Sequence, residues 1–417
     1  MDDRRPLWSS VLPVSFTALA AFVGIEAQTG QTPPTFNERI APILIRKCAP
    51  CHHEGGVAPF PLVSYEDVRK RYDLVLTVTM RRAMPPTRGE SDFGTIITEP
   101  KLTDEELVAL QRWVRASLPE GRPESRIAPP DFPSSWRLGE PQTEIRAGSG
   151  FTTSAEGGAY WNAYPIEMDN DRELLVRGFE ALPAAKRAVR QVIVFCDMNG
   201  ALWEEAVSTG KPISTFGSLY GDGIEMLAAW APGYNPLLLD DAAIRIPPRA
   251  KLVVQVLYYP TGKPEDASVR LGFRLATSRG TRRATWLRFG REYFEIPPAV
   301  SLELSDPWTT DKAIDVFAAQ PEARYQATMA KCILVPPDGE PKNIVLIPSW
   351  DMYWGGAYNL ASPVRVPAGS RIIASTTYDN FRHHRQDLAT PTKPLYSGRG
   401  MEHEVFRWWV LVAPARQ

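Results

Sequence analysis

Cys48-Ala49-Pro50-Cys51-His52 has the C-x-x-C-H spacing of a c-type haem attachment site. In such a site two thiols, here Cys48 and Cys51, add to the haem vinyl groups, and the next histidine supplies the proximal nitrogen to iron. The spacing sets the two sulfur atoms one helical turn apart, within reach of the same porphyrin edge. The pentapeptide therefore predicts one covalent haem c with His52 as an axial ligand.

A haem iron of the histidine/methionine type also needs a thioether on its opposite face. Met84, in Arg82-Ala83-Met84-Pro85-Pro86, is the predicted second axial ligand. The two prolines remove backbone donors and hold the loop extended, which helps to aim the thioether inward. A core-filling methionine is the alternative for Met84. His53 is a poor rival, because it directly follows His52 and cannot reach the other haem face.

Two other interpretations of the paired cysteines are weaker. A redox C-x-x-C would lie beside a βαβ pattern, and none surrounds this one. A zinc site would need a second close pair, whereas Cys196 and Cys332 stand far apart. These two cysteines are either buried free thiols or an inter-domain disulfide, and the sequence leaves both possibilities open.

The composition favours several extracytoplasmic domains. The 417 residues suit two to four domains, and 47 lysines and arginines balance 48 aspartates and glutamates, so no basic surface for nucleic acid is expected. Residues 1–27 read as a signal peptide, with Arg4 and Arg5 before an apolar stretch and a cleavage point after Ala27. An uncleaved membrane anchor is the alternative. Either one places the rest of the chain in the periplasm or an equivalent compartment, membrane-associated in the second case.

Residues 34–119 are predicted to form a small helical domain. An apolar face from Phe36 to Lys47 leads into the haem motif, and a carbonyl of Pro59-Phe60-Pro61 is expected to accept the His52 ring N–H. Ser64 with Asp67 indicates a second helix start. Thr103 with Glu106 forms a capping-box pattern before the last helix. This layout resembles a compact class I cytochrome c domain.

The remainder is predicted to be a linker and two antiparallel β-sandwiches. Six prolines between 119 and 141 indicate an extended linker over 120–140. β-Branched and aromatic runs bounded by turn residues then favour strands, which we assign to sandwiches at 141–282 and 283–417. We expect the arginine-rich stretch from Ser278 to Arg283 to connect them. The predicted fold class is therefore multidomain, α plus all-β.

The chain from about residue 141 resembles the two-sandwich core of copper type II, ascorbate-dependent monooxygenases, the fold of peptidylglycine and dopamine monooxygenases. The stretches that carry the resemblance are Gln255–Lys263, Pro336–Gly339, Trp350–Trp354, Val366–Ile372 and Tyr378–Asn380. The front domain is similar to the haem module of bacterial members through Ala58–Phe60, Tyr65–Asp67 and Met84–Pro86. The resemblance covers most of the mature chain.

The resemblance implies two copper centres held by five histidines and a methionine, and this chain lacks those residues. Its five histidines include His52 and His53. At the ligand positions the chain instead has Arg190-Gln191, Leu257, Glu322-Ala323-Arg324, and Val405 after Glu404. Such side chains are poor substitutes for imidazole as copper ligands. No copper is therefore expected.

His383, His384 and His403 are the remaining histidines. They either build a relocated metal site with nearby carboxylates or belong to a solvated loop and a strand edge, and we favour the second interpretation.

The sequence thus predicts an extracytoplasmic monohaem cytochrome that transfers one electron, with the sandwiches as docking or scaffold modules. Its expected partner is a redox protein or a membrane respiratory or photosynthetic electron-transfer complex. The alternatives are a copper monooxygenase fed by its own cytochrome and a purely structural subunit.

Overall fold

The computed structural model describes residues 32–86, 89–94, 96, 101–132, 135–215, 219, 221–277, 281–381, 393–398 and 403–416. The predicted signal peptide or anchor, residues 1–27, lies outside them, as do His383 and His384. Within the described residues no helix is long and apolar enough to cross a membrane. Residues 34–417 belong to one compact unit.

The helices of the described residues are short and lie mostly in the N-terminal part. They are α1 (Ala41–Lys47), α2 (Tyr65–Arg69), α3 (Tyr72–Met80), α4 (Asp104–Arg115) and α5 (Ala201–Thr209), with a π-helical turn at Phe36–Ile40 and 3-10 turns at Pro123–Ser125 and Met352–Trp354.

The strands of the first half are β1 (Thr143–Ala147), β2 (Tyr160–Glu167), β3 (Leu174–Pro183), β4 (Val189–Asp197), β5 (Ile213–Thr215), β6 (Ile224–Trp230), β7 (Leu237–Leu238), β8 (Ala242–Ile246), β9 (Lys251–Tyr258) and β10 (Val269–Leu275). Those of the second half are β11 (Arg282–Arg291), β12 (Glu295–Ile296), β13 (Ser301–Thr309), β14 (Ile314–Glu322), β15 (Ala327–Val335), β16 (Lys342–Ile347), β17 (Tyr358–Val366), β18 (Arg371–Asp379), β19 (Leu395–Tyr396) and β20 (Phe406–Pro414).

Each half has two layers of sheet around a core of its own. In the first half the order β5-β2-β9-β4-β6 faces the order β1-β10-β3-β8, and in the second half β13-β18-β15-β16 faces β11-β20-β14-β17. Two separate apolar clusters fill the spaces between the layers. The mostly β architecture, with several sheets and few helices, is therefore as predicted.

Of the predicted connection from Ser278 to Arg283, the structure describes residues 281–283. Arg282 and Arg283 begin β11, which pairs in parallel with β8 of the first half and antiparallel with β20 of the second. One continuous sheet therefore runs through both halves. The Arg282 guanidinium lies 2.8 Å from Asp241 and 2.6 Å from Asp315, so that it ties the halves together beside this junction.

The helical part is organised by local signals that the sequence shows. Ser64 and Thr103 both act as N-caps, each within a complete capping box, with Asp67 and Glu106 as the partners. The first and last helical segments meet where Phe36 packs against Trp113, with ring centroids 5.9 Å apart. These contacts close a small core of its own around α1 and α4.

Two segments of the chain connect the helical part with the sandwiches. Residues 89–94 and Ile96 form an arm whose Glu90 makes two backbone hydrogen bonds with Leu346, on the edge strand β16. The predicted linker over 120–140 contains one 3-10 turn and otherwise no helix or strand among its described residues. From it, Phe132 stacks on His53 at a centroid separation of 4.1 Å. The arm and the linker therefore each connect the helical part with the sandwiches.

Candidate functional site

A cavity of about 340 Å³ separates the helical part from the sandwiches. Cys48, Cys51, His52 and Met84 all line it, although Met84 follows the pentapeptide by more than thirty residues. Most of the remaining lining from the helical part is apolar: Val57, Ala58, Pro59, Phe60, Leu62, Leu74, Val75, Val78, Pro85 and Pro86. The structure therefore brings together every residue that the sequence predicts as a haem ligand.

His52 is held by a backbone contact. Its Nδ1 lies 2.9 Å from the carbonyl oxygen of Phe60, which accepts a hydrogen bond when Nδ1 carries the proton. The Phe60 ring packs beside the imidazole, with centroids 5.0 Å apart. Burial lowers the pKa of His52, which favours the neutral form. A neutral imidazole with a proton on Nδ1 leaves the Nε2 lone pair for a metal, and Phe60 supplies the carbonyl that His52 contacts among those of Pro59-Phe60-Pro61.

The two cysteines of the pentapeptide are free thiols in a largely apolar setting. Burial raises the pKa of Cys48 to about 12 and raises that of Cys51 as well. A Cβ added at Gly233, in the loop after β6, would lie 3.1 Å from Cys51 Sγ. Gly233 also has a φ of +83°, which favours glycine. The sandwich backbone therefore approaches the thiol closely.

Met84 lies in a loop that leaves the end of α3. Its backbone N–H donates to Val78 at 3.2 Å, and the Arg82 guanidinium donates to the Leu102 carbonyl at 3.1 Å. Met84 also lines a neighbouring cavity of about 360 Å³ next to Gly89 and Glu90, where the arm begins. The loop is therefore held by α3 and by Leu102, in the segment before α4.

The far wall of this cavity comes from both sandwiches, which the sequence does not predict. Arg190, Pro232, Gly233 and Tyr234 come from the first half, and Trp354 comes from the second. Tyr234 donates from its hydroxyl to the Trp354 carbonyl at 2.7 Å, which joins the two halves at the cavity. No sequence signal links these residues to the pentapeptide, because all contacts between them are long-range.

The residues present fit a haem c. Two thiols and an imidazole nitrogen lie on one segment, a thioether comes from another, and an apolar lining would surround the porphyrin. A haem bound in this way would supply a one-electron iron couple with both axial positions filled by protein. Cys48 and Cys51 would hold it covalently, and His52 and Met84 would ligate the iron.

The residues at the expected copper-ligand positions lie mainly at two cavities. Arg190 lines the larger cavity, whereas Gln191, Glu322, Ala323, Arg324 and Val405 meet around a cavity of only about 20 Å³ between the halves. Leu257 is fully buried in β9. Glu322 accepts a hydrogen bond from Trp409 Nε1 at 2.7 Å, and Arg324 donates to the carbonyls of His403 and Gly398. This interior is filled by hydrogen-bonded side chains.

The remaining metal and thiol candidates do not form a cluster in the structure. Of the three other histidines, only His403 falls within the described residues. Among the residues that the structure describes, no group of three or more His, Cys, Asp and Glu side chains could hold a metal. Cys196 and Cys332 are both free and buried, in the cores of different halves, so that they are thiols and not a disulfide.

No protein-family model and no curated protein sequence matches this chain. Among solved structures, the VP2 subviral particle of infectious bursal disease virus is similar at 10% identity and a TM-score of 0.20, over 66% of this chain and 73% of that one. A peptide-N(4)-(N-acetyl-β-D-glucosaminyl) asparagine amidase is similar at 7% identity and a TM-score of 0.28, over 66% of this chain and 97% of that one. TM-scores this low carry no functional argument.

Proposed function

We propose that this protein is an extracytoplasmic monohaem c-type cytochrome that transfers single electrons, with a degenerate monooxygenase-like double sandwich as its scaffold. One observation carries the proposal: Cys48, Cys51, His52 and Met84 line one largely apolar cavity. Three of these residues share a pentapeptide, but the fourth reaches the same cavity only through the fold. A C-x-x-C-H pentapeptide that arose by chance would not be expected to share its cavity with a methionine thioether.

Electron transfer follows from how the protein would occupy the iron. With His52 and Met84 as axial ligands, no open coordination position remains for oxygen or substrate, and the site suits a one-electron shuttle. The neutral His52 is oriented by the Phe60 carbonyl, and the Met84 loop is held by α3 and by Leu102. The redox partner would be another protein or a membrane electron-transfer complex.

In this proposal the sandwiches do more than dock a partner protein. They supply the far wall of the cavity, so that the haem would lie at the junction of the helical part with both halves. The copper monooxygenase alternative would need ligands where the chain has Gln191, Glu322 and Arg324, whose side chains are poor copper ligands.

The test is the iron and copper content per chain of protein produced in a strain with haem c maturation. We expect one covalently attached haem and one iron per chain, retained on denaturing gels, and no stoichiometric copper. Cys48→Ala with Cys51→Ala should remove the covalent haem, whereas Cys196→Ala should leave it. Absence of covalent haem in the wild type would refute the proposal, and stoichiometric copper would redirect the work to oxygenase assays.

A further inference from the structure

Arg190 lies on the first sandwich and faces the cavity of the helical part. It belongs to β4, whose pairing with β9 places Val189 opposite Tyr258 and Gln191 opposite Leu257. Arg190 is therefore the extra residue of a β-bulge. Bulges re-aim side chains and are frequent beside functional sites. The irregular pairing explains how a side chain from an interior strand of the sheet comes to line this cavity.

The Arg190 guanidinium has an unusual environment. Its Cζ lies 5.8 Å from the ring centroid of Tyr259 and 5.9 Å from that of Trp354, so that two aromatic faces flank it. Within the described part of the chain it makes no ion pair and no hydrogen bond. A half-buried guanidinium loses solvation without gaining an anionic partner, which is costly. Such an arrangement indicates an anion that the described residues do not supply.

The charges around the cavity point to the same conclusion. Among its described lining residues there are two cations, Lys47 and Arg190, and no carboxylate. A haem carries two propionates, which would be the only formal negative charges on the periphery of the porphyrin. Arginine suits a carboxylate better than lysine does, because its planar fork can donate two parallel hydrogen bonds.

We propose that Arg190 binds a haem propionate, so that the first sandwich contributes a charged contact to the haem site. This inference rests on the proposed function, because it needs the haem. The pair would neutralise the propionate at the junction of the helical part and the sandwich. A fixed positive charge at this place stabilises the reduced iron over the oxidised iron, and the sandwich thereby raises the reduction potential.

The experiment measures the reduction potential and the covalent haem content of Arg190→Gln, Arg190→Lys and Arg187→Gln. Arg187 is an exposed arginine three residues away, so R187Q is the matched control. In R190Q we expect unchanged covalent haem, because the attachment is through the cysteines. We expect the equilibrium constant of reduction to fall by about tenfold, which is 59 mV for one electron. R190K retains the charge, so its equilibrium constant of reduction should fall less. The constant of R187Q should match that of the wild type.

Resonance Raman spectra provide a second readout that does not depend on the potential. The propionate bending bands report hydrogen bonding, and they should shift in R190K, which keeps the charge but loses the planar fork, and not in R187Q. A wild-type potential in R190Q, an equal fall in R187Q, or unshifted bands in R190K would each overturn the inference. If the wild type carries no covalent haem, the proposed function itself fails. If haem is present and R190Q is unchanged, only the role of Arg190 fails.

Discussion

Met84 is the residue whose role most needs a direct test, because its assignment as a ligand depends on tertiary structure. In Met84→Ala we expect the covalent haem to remain, since the cysteines are untouched, while one axial position opens. The variant should bind carbon monoxide or imidazole far more tightly than the wild type. Met80→Ala is the matched control, because Met80 is exposed on α3 at 46%. Unchanged ligand binding in M84A would remove Met84 from the axial role.

Glu404 is a buried carboxyl that directly precedes Val405, one of the expected copper-ligand positions. It accepts backbone N–H groups from Arg324 at 3.0 Å and from Gln326 at 2.8 Å. Burial is the main cause that raises its pKa from 4.5 to about 7. In the native state the carboxyl therefore keeps its proton over a pH range where the unfolded chain has released it.

This difference in pKa predicts a pH-dependent stability. The protonated Glu404 carboxyl contributes fully to the free energy of unfolding below about pH 4.5. As the pH rises through about 7 this contribution is lost, by roughly 3 kcal/mol in total. Glu404→Gln should abolish this part of the pH dependence, whereas the exposed Glu295→Gln should keep it. The free energy of unfolding from urea titrations at several pH values is the measurement. Parallel curves for wild type and E404Q would contradict the prediction.

At the scale of elements, the arm of residues 89–94 and Ile96 connects the Met84 loop to the second sandwich. Asp92 accepts hydrogen bonds from the Asn343 backbone N–H at 2.6 Å and from its side chain at 3.1 Å. The arm also covers β16, which is an edge strand of its sheet. The second sandwich thereby stabilises the position of the loop that carries the predicted axial ligand.

Asp92→Ala should loosen this connection. Loss of the two hydrogen bonds is expected to cost the arm about 2 kcal/mol. We expect exogenous imidazole to displace Met84 several-fold faster, because the loop opens more often. Stopped-flow mixing of the oxidised protein with imidazole gives the rate, and Asp73→Ala on the exposed side of α3 is the control. Equal rates in D92A and wild type would show that the arm does not restrain the loop.

Two adjacent tryptophans show how an element joins the halves of the molecule. Trp408 and Trp409 are adjacent in β20, and alternation along a strand predicts that they point to opposite faces. Both are buried, Trp408 in the second core and Trp409 in the first. The strand therefore serves two cores, which is possible only because the sheet is continuous through both halves.

At the scale of the whole molecule, Arg282 tests whether the two sandwiches unfold together. Its side chain is 15% exposed and pairs with Asp241 of one half and Asp315 of the other. Arg282→Gln should lower the free energy of unfolding by about 2 kcal/mol, since it removes charge-assisted hydrogen bonds to both carboxylates, although Arg416 still pairs with Asp241 and Arg365 with Asp315. Arg283→Gln is the matched control, because Arg283 is 66% exposed and its bridge to Glu173 should contribute under about 1 kcal/mol. We expect one cooperative transition for the sandwiches in both variants.

A similar loss of unfolding free energy in R282Q and R283Q would mean that Arg282 at the junction contributes no more than an exposed ion pair does. Two separated transitions in the wild type would show that the halves unfold independently despite the shared sheet.

The sequence by itself determined what depends on neighbouring residues. The C-x-x-C-H spacing, the capping boxes at Ser64 and Thr103, and the strand content are local patterns, and local geometry enforces them. The sequence also indicated Met84, through the prolines that follow it. Only the tertiary structure decided that β11 joins the sandwiches, and that Arg190 and Trp354 close the cavity that Cys48 lines. These contacts join residues far apart in the chain, and they follow from sheet pairing and a bulge in β4, which no local pattern encodes.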